Sequence, residues 1–216
     1  MADTEANPTP VGGWSDPAQV EWYVDRIGKL EGRQAGERVF ADVIPPAPAG
    51  VLDLGCGDGR LAALVLAGRP MVERVVAVDC SPPMVDRARA RFATDTRVDV
   101  REWDLRDPIG SLGRFDLIVS GFAIHHLEHP RKRQLFEEVA NQLTDAGVFM
   151  NLEVVASATP KRHADFLEAI GRTADDPEDR LASIEEQLAW MRDAGMVNVD
   201  CLWRWRGFAL LVGEAA

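Results

Sequence analysis

Val51-Leu52-Asp53-Leu54-Gly55-Cys56-Gly57-Asp58-Gly59-Arg60 is a short apolar run that ends in three glycines at alternate positions. The breaker Ile44-Pro45-Pro46-Ala47-Pro48-Ala49-Gly50 precedes it, so residues 51–54 read as a buried strand that begins abruptly. Gly55, Gly57 and Gly59 let the chain turn sharply and approach a ligand with no Cβ in the way. The helix predicted from Arg60 adds its own unpaired N–H groups at the same place. A dinucleotide-binding loop would follow G-x-G-x-x-G, but here the third glycine arrives early and Arg60 takes its position, which weakens a nicotinamide reading. Asp53 sets a carboxylate beside the turn, where it would repel a pyrophosphate and suit a cationic ligand.

Outward from this loop the chain alternates short β-branched runs with helical stretches, the pattern of an α/β, doubly wound, mostly parallel sheet with helices on both faces. Helix 60–67 leads to strand 74–79, helix 82–92 to strand 98–103, and strand 115–120 to helix 131–143. A turn at Asp145-Ala146-Gly147 introduces a fifth strand, 148–155. Helix 184–194, stopped at Gly195, then precedes a terminal antiparallel pair at 197–204 and 208–212. Val20, Tyr23, Val24, Ile27 and Leu30 recur at helical spacing before the first strand, which predicts one or two helices there. The expected organisation is a single domain, 1–216, with an N-terminal helical cap at 1–43 and an inserted helical lid at 156–183 around a helix at 163–170. Asp79 and Asp104, at or just beyond the ends of the second and third strands, join Asp53 near the topological switch point; Asp79 can accept from two ribose hydroxyls and Asp104 from an adenine amino group.

Composition narrows the partners. The formal net charge is −11, from 24 Lys plus Arg against 35 Asp plus Glu, so the counterion release that drives nucleic-acid binding is disfavoured and a small-molecule substrate is expected. No apolar run approaches the roughly 20 residues that a membrane span needs, so no membrane partner is expected. The acidic start, MADTEANPTP, is unlike a secretory signal and reads as a frayed tail. Cys56, Cys80 and Cys201 are too few and too irregular for a disulfide framework or a zinc site, which suits a reducing cytoplasm. No His-Glu helix pair or Cys cluster is present either, so a metal-free site is expected. The sequence carries no signal for oligomeric state.

VLDLGCGDGRL, VVAVDCSPPMVDRAR, WDLRDP and FDLIVSGFAIHHL, in that order and spacing, resemble the class I S-adenosylmethionine-dependent methyltransferases over roughly residues 49–155. The resemblance implies a Rossmann-like, seven-stranded sheet with a reversed last strand, and S-adenosylmethionine as cofactor. It implies that the loop from Gly55 through Cys56 and Gly57 to Gly59 cradles the methionine part, that Asp79 holds the ribose, and that Asp104 and Leu105 contact the adenine. It further implies that Cys80 and Met84 flank the adenine and that backbone near Ser120 and Gly121 receives the amino group. The turn Asp145-Ala146-Gly147 departs from the family's frequent Pro-Gly-Gly, which touches only turn geometry.

Such an enzyme needs to align a nucleophile, exclude water and manage one proton. The candidates near the ends of the fourth and fifth strands are His125, His126 and Glu153, the histidines as proton acceptors and the carboxylate as an orienting or substrate-holding group. Because neighbours on an extended chain face opposite ways, only one histidine is expected to point inward. His129 and His163 are expected at the surface or in caps. Among the aromatic residues, Tyr23 is expected at the cofactor, while Trp14, Trp22, Trp203 and Trp205 are expected to pack, the last two on one strand face. Competing functions are a tRNA or rRNA methyltransferase, an alkyltransferase or cyclase using another carbon of the cofactor, and a non-catalytic S-adenosylmethionine sensor. The Ser120-Gly121-Phe122-Ala123 segment lacks the Asn/Asp-Pro-Pro-aromatic tetrad usual in the first of these.

Overall fold

The computed structural model describes residues 13–216, and the tail expected at 1–10 lies outside them. Strands β1 (Gly50–Leu54), β2 (Arg74–Asp79), β3 (Val98–Glu102), β4 (Phe115–Gly121), β5 (Leu143–Val154), β6 (Val197–Trp205) and β7 (Phe208–Glu214) form one sheet in the order β3-β2-β1-β4-β5-β7-β6. The pairs from β3 to β5 are parallel, and β7 runs antiparallel to both β5 and β6. Strand order reverses beside β1, so the carboxyl ends of β1 and β4 open a crevice there.

Alternate residues of the central strands feed two apolar layers. Leu52, Leu54, Val76 and Ile118 pack with Leu135, Phe136 and Trp190, from α5 (His129–Gln142) and α7 (Ile184–Asp193). Val51, Val75 and Val119 pack on the other side with Phe40, Leu61 and Val65, from α2 (Glu31–Val43) and α3 (Arg60–Gly68). Burial on both faces is why these strands read as continuous apolar runs.

The N-terminal segment forms two helices, α1 (Pro17–Ile27), whose first turn is capped by Asp16 accepting from Ala18 N–H at 2.9 Å, and α2. Trp203 and Trp205 do share a face, and α2 meets them with glycines. A Cβ at Gly32 would lie 2.4 Å from the Trp205 ring, and one at Gly36 would lie 2.7 Å from that of Trp203. The strand therefore docks the cap by burying indole against bare helix backbone.

Three boundaries differ from expectation for local reasons. The turn at 145–147 is a bulge within β5: Leu143 pairs with Phe115 and Val148 with Leu117, so residues 144–147 stand opposite Asp116 alone. The Asp116 carboxylate fills the gap by accepting from Thr144 Oγ1 at 2.7 Å, and Gly147 is needed because a Cβ would sit 2.8 Å from the Thr144 carbonyl oxygen. Helices α5 and α6 (Pro160–Ala169) start earlier than their apolar spacing predicts because each has a proline within its first two positions, with Thr159 capping α6. Gly195, at φ +93°, ends α7 as expected. The remaining helix, α4 (Pro82–Arg91), is capped by Ser81.

Candidate active site

The three loop glycines do three different jobs. Gly55 (φ +66°) lies where a Cβ would strike Ala123 Cβ at 2.2 Å, and Gly59 (φ +82°) where one would meet the Phe92 ring at 2.4 Å. Only Gly57 (φ +55°) faces open space, with Met84 Sδ as its nearest neighbour at 3.9 Å. Two glycines thus seat the loop on the protein and one leaves the backbone bare for a ligand. Cys56, expected in the cradle, turns its thiol instead into a small buried cluster with Ala77 and Ala88, where burial pushes it well above its ordinary pKa; only its backbone stays with the loop.

S-adenosylmethionine presents an ammonium, a sulfonium, a ribose diol and an adenine, and the residues at this strand edge fit them. Asp53 is 1% exposed; its Oδ2 accepts from Ala62 N–H at 3.0 Å, capping α3, while buried Oδ1 has no hydrogen-bond partner among the described residues. Burial raises its pKa from the ordinary 3.8 to about 7, the condition of a carboxyl that lacks a cation. Asp79 accepts from Gly57 N–H at 2.8 Å and from Ser81 N–H at 2.9 Å, and each oxygen keeps a lone pair for a hydroxyl. Beyond it a cavity of about 330 Å³ is lined by Cys80, Glu102, Trp103, Asp104 and Asp107. Asp104 is held there by Arg106, whose guanidinium keeps the carboxyl below its usual range. Met84 and Leu105 do not line this cavity: both are buried against the loop, at Gly57 and Gly55 respectively. Ser120 spends its hydroxyl on the Leu54 carbonyl at 2.8 Å, and a Cβ at Gly121 would lie 2.7 Å from Leu61 Cδ1, so at these two positions only backbone is left for a ligand.

Past the end of β4 the chain enters a single 3₁₀ turn, Ile124–His126, and this overturns the expectation that only one histidine faces inward. The two imidazole centroids lie 4.0 Å apart and both rings line a second, larger cavity of about 680 Å³. Glu153, wholly buried on β5, grips His125 twice: Oε2 accepts from its backbone N–H at 2.9 Å and Oε1 lies 2.6 Å from Nδ1. Glu153 does not line this cavity, and its carboxylate is spent on His125. Asp179 faces both rings, 3.4 Å from His125 Nε2 and 3.5 Å from His126 Nδ1. Burial disfavours the His125 imidazolium, but Glu153 and Asp179 outweigh it and raise its pKa. Burial and repulsion from a protonated His125 push His126 down to about 3, so of the two rings His125 holds a proton the more readily.

Sequence reasoning missed Asp179, Phe122 and Arg33. Asp179 sits in a polar stretch with no motif, and its carboxylate converges on the two histidines only in space, which sequence spacing does not reveal. Phe122 has φ +56°, a strained value for a bulky residue, and its ring packs between Phe208 and the Arg33 guanidinium. Arg33 is buried, donating to Glu37 at 2.8 Å and to the Tyr23 hydroxyl at 3.2 Å. Tyr23, Trp14, Trp22, Phe122, Phe166 and Phe208 give the larger cavity an aromatic lining. Trp14 crosses Tyr23 edge-on at 5.0 Å and His126 at 5.7 Å, so the expectation of simple core packing fails for it. The Ser81 hydroxyl donates to the Trp14 carbonyl, tying this segment to the end of β2. His163 joins Asp175 at 2.8 Å, and half-buried His129 packs on Trp190 at 5.4 Å.

The family model for a methyltransferase domain matches residues 51–147. Magnesium-protoporphyrin O-methyltransferase of Rhodobacter capsulatus is 32% identical over 159 residues, covering 71% of this chain and 66% of that protein. Malonyl-[acyl-carrier protein] O-methyltransferase of Paenibacillus sp. is 27% identical over 161 residues, covering 70% of this chain; the chain spans only 56% of that relative's length and 55% of some other curated relatives. An O-methyltransferase family 2 protein from Planctomyces limnophilus, solved with apigenin, superposes with a TM-score of 0.70 at 20% identity, over 97% of this chain and 63% of its own. The chain belongs to the class I S-adenosylmethionine-dependent methyltransferases, a family whose cofactor is S-adenosylmethionine.

Proposed function

We propose that the chain methylates a small, largely apolar molecule seated in the 680 Å³ cavity, at an oxygen or another nucleophilic atom held beside His126. S-adenosylmethionine, when bound, supplies a methyl group activated by its sulfonium. Gly57 backbone, Asp53 and Asp79 bind it, and Cys80 and Asp104 border the adenine. The residues from α1, α6 and the segment 172–179 exclude water and give the acceptor an aromatic surround, acting as cap (1–43) and lid (156–183). His126, which a pKa of about 3 leaves neutral and only weakly basic at physiological pH, accepts a hydrogen bond from the acceptor as its proton leaves, and Glu153 keeps His125 fixed behind it.

The observation that carries this reading is the convergence of both histidines on one aromatic cavity at the carboxyl end of β4. Two relatives that are by name O-methyltransferases support an oxygen acceptor. The net charge of −11 speaks against a long nucleic-acid acceptor, and among the described residues no helix is long and apolar enough to cross a membrane. The test is transfer of labelled methyl from S-adenosylmethionine to a panel of hydroxylated aromatic and acyl compounds, with Asp79→Ala and His126→Ala alongside. Methylated product with S-adenosylhomocysteine, lost in both variants, is expected. Release of methylthioadenosine, or label appearing only on RNA, would refute it.

A further inference from the structure

We infer that Asp179, carried by the inserted segment and not by the sheet, is the positioning residue that sets the protonation of the histidine pair, so that the site is complete only when this segment is docked. The inference rests on the proposed proton-accepting role of the pair. His125 lies between two carboxylates: Glu153 at 2.6 Å from Nδ1 and Asp179 at 3.4 Å from Nε2. Asp179 Oδ1 is also 3.5 Å from His126 Nδ1, which has no hydrogen-bond partner among the described residues. A carboxylate facing Nδ1 favours the tautomer with its proton on that atom, in competition with the Glu178 carbonyl that also faces this ring.

The chain invests in holding Asp179 here. Arg180 N–H donates to the His125 carbonyl at 2.8 Å, and the Asp176 N–H to Asp179 Oδ2 at 3.2 Å. Lys132, 1% exposed on α5, gives its ammonium to the Arg180 and His125 carbonyls. Ala156 N–H to the Ala182 carbonyl at 2.9 Å closes the segment at its base. A loop that merely covers a cavity has no use for a dehydrated lysine stapling it to the turn that carries the histidines. The charged groups facing the pair are Glu153 from β5, Lys132 from α5, and Asp179 with Arg172 from the segment; the Glu178 carbonyl also faces His126.

Long-range ¹⁵N-edited spectra of the histidine rings in the full chain, recorded across pH, test this without any acceptor. Asp179→Asn is expected to lower the His125 titration midpoint by about one pH unit or more and to move the His126 proton off Nδ1, with Asp179→Glu restoring part of both. In methyl transfer, Asp179→Asn should cut kcat at least tenfold, displace its pH profile and leave KM for S-adenosylmethionine unchanged. Unaltered histidine spectra and pH profile in the folded Asn variant would overturn the inference. So would wild-type spectra that shift with Zn²⁺ and revert with EDTA at neutral pH, which would make the three groups a metal site. If Asp79→Ala and His126→Ala also leave transfer intact, the proposed function fails, whereas the spectra still decide the role of Asp179.

Discussion

Replacing Asp53 by Asn removes one negative charge while keeping an oxygen to accept from Ala62 N–H, now at 3.0 Å. In the folded chain the carboxyl holds its proton up to about pH 7, against 3.8 when unfolded. A carboxyl whose pKa is raised by folding adds its full share of stability below the unfolded value and loses it as pH climbs through the folded one. A displacement of ~3 pH units at 1.36 kcal/mol each puts the loss at ~4 kcal/mol by pH 8 as an upper bound. Asp53→Asn should therefore exceed the wild type by about 1–2 kcal/mol at pH 5 and by about 4 kcal/mol at pH 8. Urea denaturation at the two pH values measures the difference, and a gap that does not change with pH refutes the reasoning. A cationic cofactor beside Oδ1 reverses the preference. Its binding to the wild type should then release a proton near pH 6, with Kd rising about tenfold for each pH unit below 7, and the Asn variant should bind weakly without that slope. Calorimetry in buffers of different ionisation heat counts the proton directly.

Glu153→Gln leaves the buried imidazolium with a neutral neighbour. His125 should then titrate lower, and the stability that its raised pKa contributes, present below the ordinary 6.5 and lost as pH rises through the folded value, should shrink, with a cost of about 3 kcal/mol at pH 6 by chemical denaturation. Gly59→Ala and Gly57→Ala should separate folding from binding. The first meets Phe92 at 2.4 Å and should lose roughly 3 kcal/mol of stability, whereas the second has open space and should cost about 1 kcal/mol yet weaken S-adenosylmethionine binding tenfold or more in calorimetry. Gly32→Ala drives a methyl into Trp205, so despite better helix propensity it should lower stability by about 1–3 kcal/mol and red-shift tryptophan emission as the cap lifts.

Most of the sheet was legible because its signals are local. Strand Arg74–Asp79 is bounded as its β-branched run predicts, and Asp79 stands where a strand end next to a glycine loop has to leave it. The reversed strand followed from the closing pair and the family likeness. What failed depends on contacts between distant segments. The bulge at residues 144–147 looks like a turn from its own residues, and only Asp116, across the sheet, makes it part of a strand. The helix starts at His129 and Pro160 lie ahead of the first apolar repeat, where a proline in the first turn and, for α6, the Thr159 cap set the boundary. Adjacent side chains diverge on an extended strand, but His125 and His126 lie beyond the end of β4, where a 3₁₀ turn sets both imidazoles on one side.

The two ends of the site also differ in how they hold a ligand, and that difference decides how readable each is. At the cofactor end the work falls on backbone: Gly57 must be bare, and Asp79 must reach its N–H, so few residue types serve and the spacing is narrow. At the acceptor end side chains from α1, the turn after β4, α6 and the segment around Asp179 meet across the cavity, so no one stretch of sequence carries its pattern. Glu153, which does not line that cavity, fixes His125 through its backbone N–H and its ring from behind. Under the proposed function, swapping the half-buried Trp22 should change which compound is methylated before it changes how fast the best one reacts, which competition between two acceptors in one assay would measure.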